Sequence, residues 1–286
     1  MKIDLNKDIR YVKDIRGMNN TEIADFFNAS RMTLNRWQKG EICPSYETLE
    51  KIYHKIYESG LNLNRLKEEM DNSTLAKNHV LLFHGAKKDL IGSPSIKYSE
   101  ENKDFGKGFY LGESFEQSAS FVVSYPESSI YIFDFNKEGA NIKEFVVSKE
   151  WMILIAYFRG RLDEYKNSKY VKKLLDELKD VDVVVAPIAD NTMYTTLDDF
   201  IDGKITDLQC LHALSANRLG KQYVFLNDKV INEKLSFVEK CFFCELEKKD
   251  YLTKKIKENE IGRNKVKIAL REFAGKGKYI EELLKW

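Results

Sequence analysis

Apolar residues in the first 70 positions recur at helical spacing. Residues 20–41 have the pattern of two short helices around a tight turn, and Leu34 and Trp37 form the buried side of the second helix. Asn28 tolerates the left-handed conformation that such a turn needs, and Ser30 is placed to cap the second helix. We therefore predict a helical N-terminal region, in which a further helix begins at Pro44.

After residue 78 the pattern changes to short apolar runs separated by polar helical segments. The segments predicted as strands are 81–83, 109–111, 183–188 and 219–228. The segments predicted as helices are 113–121, 163–179, 251–257 and 265–273. Residues 151–158 are apolar throughout and suit either a helix or a buried strand. The mixture predicts an α+β fold for the larger part of the chain.

Composition limits the cellular setting. The 286 residues, 43% of them hydrophobic, suit two modest domains with real cores, and the net charge of +1 steers the chain toward neither nucleic acid nor membrane. No apolar run is long enough to span a bilayer, and the N-terminus is charged, so we expect a cytoplasmic protein without a membrane partner. Cys241 and Cys244 form a CxxC without a second pair or a nearby histidine, so we expect no metal site.

The most informative stretch joins His84 and Gly85 to the segment 104–121. A strand at 81–83 delivers both residues to its end, where a residue without a Cβ permits close approach of a ligand amide to the backbone. A glycine turn at 106–108 leads to Tyr110, whose ring offers a flat face. Alone, each feature has a commoner structural explanation, such as a satisfied core histidine or a core aromatic. Their joint order favours a binding pocket.

This order of segments resembles the catalytic domain of poly(ADP-ribose) polymerases and diphtheria-toxin-like ADP-ribosyltransferases. The resemblance implies that NAD+ is the substrate, that His84 contacts a ribose and that Gly85 clamps the nicotinamide amide. It implies that Tyr110 and Phe121 form the two faces of a ring sandwich. Ser118 would then be the hydroxyl that takes the second bond of the amide.

Gln222 stands where the catalytic strand of those enzymes carries a glutamate. A neutral amide can form a hydrogen bond but offers less electrostatic stabilisation, so single transfer or no transfer is expected in place of chain elongation. Most of residues 78–240 resemble more closely an uncharacterised bacterial branch of these domains, in which a glutamine at this position is ordinary. Asp190, after the strand 183–188, is a substitute catalytic acid or a corner-capping residue.

The helices at 20–41 resemble the helix-turn-helix of the Cro and phage-repressor kind, whose second helix enters the major groove. The residues that the resemblance places at DNA are Ser30, Arg31, Thr33, Arg36 and Lys39. Residues 1–70 hold 12 Lys and Arg against 11 Asp and Glu, so specific binding would depend on a local patch. The alternative is a helical bundle for dimerisation or protein docking.

Four segments follow from these patterns: a helix-turn-helix domain at 1–70, a linker at 71–78, a split-sheet ADP-ribosyltransferase-like domain at 79–240 and a helical extension at 241–286. The expected function is mono-ADP-ribosyl transfer from NAD+ to a nucleic-acid or protein acceptor, as in a bacterial toxin or phage-defence effector. The alternatives are an inactive transcriptional regulator that senses NAD+ or ADP-ribose, and a scaffold without NAD+ affinity. Residues 240–286 hold 13 basic against 8 acidic residues, which predicts a solvated helix face or a partner-binding tail.

Overall fold

A computed structural model describes residues 1–188, 191–217 and 219–284. The α-helices are α1 Leu5–Arg16, α2 Asn20–Phe26, α3 Arg31–Gln38, α4 Tyr46–Glu58, α5 Leu63–Ser73, α6 Phe115–Val122, α7 Lys149–Phe158, α8 Lys169–Asp176, α9 Asn191–Ile201, α10 Asp207–Ser215, α11 Asp228–Lys234, α12 Glu245–Glu272 and α13 Ile280–Leu284. The strands are β1 His79–Ala86, β2 Phe109–Gly112, β3 Ser129–Asn136, β4 Ile142–Glu144, β5 Val183–Pro187, β6 Lys221–Phe225 and β7 Leu235–Cys241. Single turns of 3₁₀ helix lie at Ile96–Tyr98 and Asp163–Tyr165. The predicted α+β fold is confirmed.

The chain divides into two compact units, each built from separate stretches of sequence. Unit 1 comprises Met1–Gly92, Ser114–Phe135 and Ser236–Thr253, and unit 2 comprises Ser93–Glu113, Asn136–Leu235 and Lys254–Trp286. In unit 1 the strand order is β1-β3-β7. In unit 2 it is β4-β5-β6-β2, in which β4 and β5 are parallel and the other pairs antiparallel. The four sequence segments named above remain predictions.

The N-terminal helices of unit 1 follow the local sequence signals closely. Asn28 adopts φ 52° in the turn between α2 and α3, and the Ser30 side chain accepts a hydrogen bond from the Thr33 backbone N–H. Helix α4 begins at Tyr46, two residues later than predicted, because the Ser45 side chain caps it. Helix α5 continues to Ser73, so the predicted linker begins inside a helix.

Unit 1 contains an apolar cluster that unites these helices with the residues directly after β7. Phe242 and Cys244 are buried in the same apolar cluster as the N-terminal helices, and the Phe242 ring stacks on Tyr53 with centroids 4.8 Å apart. A fully buried Lys67 pairs with Asp8 at 2.5 Å and with Glu239 at 3.0 Å. Because a buried charge without its partner is costly, this cluster fixes the helices to β7.

Unit 2 is built around α7, which settles the choice left open for residues 151–158. Ser148 caps this helix, and six consecutive residues, Trp151 to Ala156, are buried, which requires packing on all its sides. The uninterrupted apolar run therefore reflects a central helix and not a strand. The predicted helix at 163–179 is shorter in the structure, where a 3₁₀ turn at Asp163–Tyr165 precedes α8.

The C-terminal segment of unit 2 packs back onto α10. The two helices predicted at 251–257 and 265–273 are parts of one continuous helix, α12. After it, the carboxylate of Asp207 accepts a 2.7 Å hydrogen bond from the Lys278 backbone N–H, and the ring of His212 stacks on Phe273 with centroids 3.5 Å apart. These contacts give residues 273–278 a structural role beside any role in binding a partner.

Candidate functional site

Strands β2 and β6 bring two of the predicted site residues into one part of the sheet. They run antiparallel, with Tyr110 opposite Val224 and Gly112 opposite Gln222. The approach is close at Gly108, where an added Cβ would lie 2.6 Å from Cγ1 of Val224. Gly108 is thus required by the packing of this segment against β6, whatever its role in binding.

Asp104, directly before that segment, is the centre of a polar cluster. Its carboxylate is 5% exposed. Oδ1 accepts hydrogen bonds from Nε of Arg159 at 2.9 Å, from Nη2 of Arg159 at 2.7 Å and from the Tyr194 hydroxyl at 3.0 Å. Oδ2 accepts one from Nε2 of Gln222 at 2.9 Å. Four hydrogen bonds hold the buried carboxylate in one geometry, because any rotation of it would break some of them.

Gln222 is buried, with an exposed fraction of 6%. Besides its bond to Asp104, Nε2 donates to the Pro187 carbonyl oxygen at 3.2 Å. Both hydrogen bonds of the amide within the described residues are donated by the nitrogen, so Oε1 remains as an acceptor. The residue predicted to replace a catalytic glutamate is therefore held by a carboxylate.

Arg159 and Tyr194 come from α7 and α9. Arg159 is the C-cap of α7, where a cation also interacts favourably with the helix dipole. Its guanidinium lies over the Tyr194 ring, with Cζ 3.4 Å from the centroid. Asp104, Arg159 and Tyr194 were not among the residues predicted from the sequence. The available signal was an acidic residue immediately before an aromatic glycine turn.

The Tyr110 side chain is tied to the turn that precedes its own strand. Its hydroxyl donates to the Gly106 carbonyl at 2.8 Å and accepts from the Phe105 backbone N–H at 3.1 Å. Burial raises the pKa of this hydroxyl well above its usual range, so it stays protonated and donates. The ring is half-buried. Loss of the hydroxyl and loss of the ring should therefore have separable effects.

His84, Gly85, Ser118 and Phe121 belong to unit 1, on β1 and α6. Ser118 is buried, and its Oγ donates to the Phe83 carbonyl at 2.9 Å. An added Cβ at Gly85 would lie 2.6 Å from the Ser118 carbonyl oxygen, so β1 and α6 could not approach as they do. His84 is half-buried, whereas Phe121 is 51% exposed.

These placements assign the predicted residues to two groups. Tyr110 and Gln222 lie in unit 2, and the other four pocket candidates lie in unit 1. Asp190 lies outside the described residues.

The residues predicted to contact DNA lie on α3 and just beyond it. Ser30, Arg31, Arg36 and Lys39 are exposed, and Thr33 is half-buried. The Ser30 and Thr33 hydroxyls are hydrogen-bonded to each other at 2.9 Å. Arg36 forms a long, exposed ion pair with Glu41, at 3.8 Å. The side chains of Arg31, Arg36 and Lys39 are thus accessible to solvent on one short stretch of chain.

The two cysteines of the CxxC segment lie in two apolar clusters of unit 1, Cys241 with β1, β3 and α6 and Cys244 with the N-terminal helices. Cys241 and Cys244 are buried, and burial raises the pKa of both thiols, that of Cys244 to about 12. Across the described ranges, no group of three or more His, Cys, Asp or Glu side chains is arranged to hold a metal ion. Across the same ranges, no helix combines the length and apolarity needed to cross a membrane.

The fold and site define an α+β protein with a cluster of a buried carboxylate, a buried amide and a half-buried guanidinium next to a mixed four-stranded arrangement. Residues 80–237 match the family model described as a protein of unknown function, DUF3990. Because the match covers more than half of the chain, the chain belongs to the DUF3990 family. No curated protein and no solved structure matches it.

Proposed function

We propose that this chain is an NAD+-dependent mono-ADP-ribosyltransferase that acts on a macromolecular acceptor. The observation that carries the proposal is the fixed amide of Gln222 on β6, next to the strand that carries Tyr110. An amide oxygen held as an acceptor suits a ribose hydroxyl, and a neighbouring aromatic ring suits nicotinamide. For unit 1 taken by itself, the contacts that the resemblance implies at His84, Gly85, Ser118 and Phe121 stay a prediction.

In the proposed reaction, the bond between the ribose C1′ and the nicotinamide nitrogen breaks. Nicotinamide leaves with the bonding electrons as a neutral molecule, and the ribose carries a positive charge. A lone pair of the acceptor then forms the new bond to C1′, and the acceptor's proton passes to water. Gln222 Oε1 would accept from a ribose hydroxyl, with the Asp104 charge one hydrogen bond away.

Arg159 offsets much of the Asp104 charge, since it donates two hydrogen bonds to that carboxylate. The electrostatic stabilisation of a ribosyl cation is therefore weaker than a free carboxylate would provide. We accordingly propose slow transfer of single ADP-ribose groups and no chain elongation.

The test is incubation of the purified full chain with NAD+, with and without cell lysate. Chromatography would measure free nicotinamide, and mass spectrometry would detect ADP-ribose on protein, DNA or RNA. We expect release by the wild type and its loss in His84→Ala. His79→Ala is the matched control, because His79 is another half-buried histidine of β1 and pairs with Asp134 at 2.7 Å. Intact NAD+ under every condition would reject the proposal.

A regulator that senses NAD+ or ADP-ribose without turnover is the second candidate. The observation that favours it is the neutral, buried Gln222 amide, which supplies no carboxylate of its own. Calorimetry would then show NAD+ binding in the absence of nicotinamide release, and NAD+ would change the affinity for DNA. The two candidates are distinguished by turnover, because both require NAD+ affinity. A scaffold protein would show no NAD+ affinity.

For the N-terminal helices we propose DNA binding through α3. The exposure of Arg31, Arg36 and Lys39 supports it, as does the capped N-terminus of α3 at Ser30, where backbone N–H groups favour a phosphate. Cytoplasmic location, a possible homodimer and a toxin or phage-defence role belong to the same proposal, the last by analogy of architecture alone.

A further inference from the structure

The Gln222 amide lies between two hydrogen-bond acceptors. Its Nε2 is 2.9 Å from Oδ2 of Asp104 and 3.2 Å from the Pro187 carbonyl oxygen. Neither the Pro187 carbonyl nor an ionised carboxylate can donate a proton. The flip state with the nitrogen toward both acceptors is therefore the only one that avoids two repulsive oxygen contacts.

Asp104 can impose this orientation because it is itself fixed. Its other oxygen, Oδ1, receives both bonds from Arg159 and the bond from Tyr194, so the carboxylate cannot rotate without losing three donors. The Arg159 side chain is also held next to Asp104, because its guanidinium stacks on the Tyr194 ring. The orientation of Gln222 thus depends on residues from α7 and α9, far from it in sequence.

The cluster also explains why an amide occupies position 222. A glutamate there would place a second carboxylate against Asp104, at a site where both side chains are nearly excluded from solvent. Two such carboxylates cannot both ionise without a large penalty, and one would retain a proton near neutral pH. The pair Asp104 and Gln222 carries one negative charge, which Arg159 balances.

We propose that Asp104 is a positioning residue that orients the Gln222 amide, so that Oε1 is the atom presented to a hydroxyl of the bound NAD+ ribose. This inference rests on the proposed function for the identity of the ligand. It assigns the charge of the site to position 104, whereas the sequence alone had pointed to position 222 or 190.

The proposal can be tested with Gln222→Glu, which restores the glutamate expected at this position by the resemblance. If Gln222 were only a lost catalytic glutamate, Gln222→Glu would raise nicotinamide release. If Asp104 orients it, Gln222→Glu lowers release at least tenfold at pH 7.5. Asp104→Asn also lowers kcat about tenfold or more with little change in KM, because the Asn amide drives Gln222 out of its flip state.

The deciding variant is the exchange Asp104→Asn with Gln222→Glu, which restores one carboxylate and one amide. We expect it to recover at least tenfold over Gln222→Glu, although incompletely, because the Pro187 carbonyl still faces position 222. Asp182→Asn is the matched control, since it removes a 3.1 Å carboxylate–amide bond to Asn227 elsewhere in unit 2. We expect the control to leave release unchanged.

Unfolding of the wild type, Gln222→Glu and the exchange variant between pH 5 and pH 8 separates this proposal from the proposed function. Gln222→Glu should gain stability toward acid pH relative to the wild type, and the exchange variant should lose that dependence. A wild type that releases no nicotinamide would reject the proposed function, while this pH signature would still report the coupling of the two positions. Absence of the pH signature, or higher release by Gln222→Glu, would overturn the proposal.

Discussion

The guanidinium of Arg159 lies over the ring of Tyr194, with Cζ 3.4 Å from the ring centroid, while both side chains donate to the same oxygen of Asp104. The stacking and the shared acceptor hold one cation, one carboxylate and one ring in a single arrangement. Because Asp104 is buried, the cation is needed to compensate its charge.

Arg159→Met should destabilise the protein by about 2–4 kcal/mol at pH 7, because it leaves a buried carboxylate without its cation. Urea unfolding at pH 7 measures this. Arg161→Met, which removes an exposed arginine paired with Asp198 and Asp202, should change stability by less than about 0.5 kcal/mol. Equal losses in the two variants would contradict a role for Arg159 in compensating the buried charge.

Gly85→Ala should cost about 1–3 kcal/mol of stability, because the new methyl group would lie 2.6 Å from the Ser118 carbonyl oxygen. Ser118→Ala is the comparison, since it removes one buried hydrogen bond without a clash and should cost about 1 kcal/mol. Thermal or urea unfolding measures both. A Gly85→Ala protein as stable as the wild type would show that α6 can move away from β1. If that stable Gly85→Ala protein had lost NAD+ binding, the loss would support a direct contact between Gly85 and NAD+.

The stability of the protein should fall as pH rises from about 5 to about 8, because of Glu247. Burial raises the pKa of this carboxyl from 4.5 to about 8, although a 2.8 Å hydrogen bond from Asn64 and the charge of Lys67 oppose the shift. The folded state keeps a proton that the unfolded state releases, so the stability contribution is complete below about pH 4.5 and lost through pH 8. Asp71, whose pKa burial raises to about 6, acts in the same direction at lower pH.

Glu247→Gln should flatten this dependence by roughly 2–4 kcal/mol over the same interval, because its amide does not titrate. Glu258→Gln, an exposed position of the same helix, serves as the control. The measurement is the free energy of unfolding of the wild type and of both variants at pH 5 and pH 8. An unchanged slope in Glu247→Gln would mean that this carboxyl is ionised in the folded protein.

Arg31→Ala should weaken DNA binding uniformly across sequences if the arginine contacts a phosphate, and reduce the slope of log K against log salt concentration by about 0.9. Fluorescence anisotropy with duplex DNA at several salt concentrations measures the slope. Arg65→Ala is matched to it, because Arg65 is an exposed arginine paired with Glu69 on α5. Equal effects of the two substitutions would indicate nonspecific attraction and argue against α3 as the DNA-binding element.

Local signals in the sequence were sufficient for much of the secondary structure. The turn at Asn28 and the cap at Ser30 were predicted, because each depends on the backbone preference of one residue and on neighbours within a few positions. The helix predicted at 113–121 corresponds to α6, because helical periodicity depends on residues within one or two turns of each other. Residues 151–158 were ambiguous, because an element packed on all sides has no polar face to reveal its period.

The candidate site could be predicted only in part. Tyr110 and Gln222 were found because a resemblance of short segments identified their strands. Asp104 was missed, because its role comes from Arg159, 55 residues away, and Gln222, 118 residues away. Those separations have no signature in local periodicity, and an aspartate before a glycine turn is ordinarily read as part of the turn.

By itself, the sequence determined the helical character of the N-terminal region and the positions of β1, β2, β5 and β6, because these depend on interactions between residues close along the chain. The tertiary structure alone decided that α7 is central to unit 2 and that residues 1–73 share a core with the end of β7. It also decided that a buried carboxylate at 104 holds the amide at 222. The physical reason is that burial and hydrogen-bond partnership are properties of the packed arrangement, which brings distant residues within a few ångströms of one another.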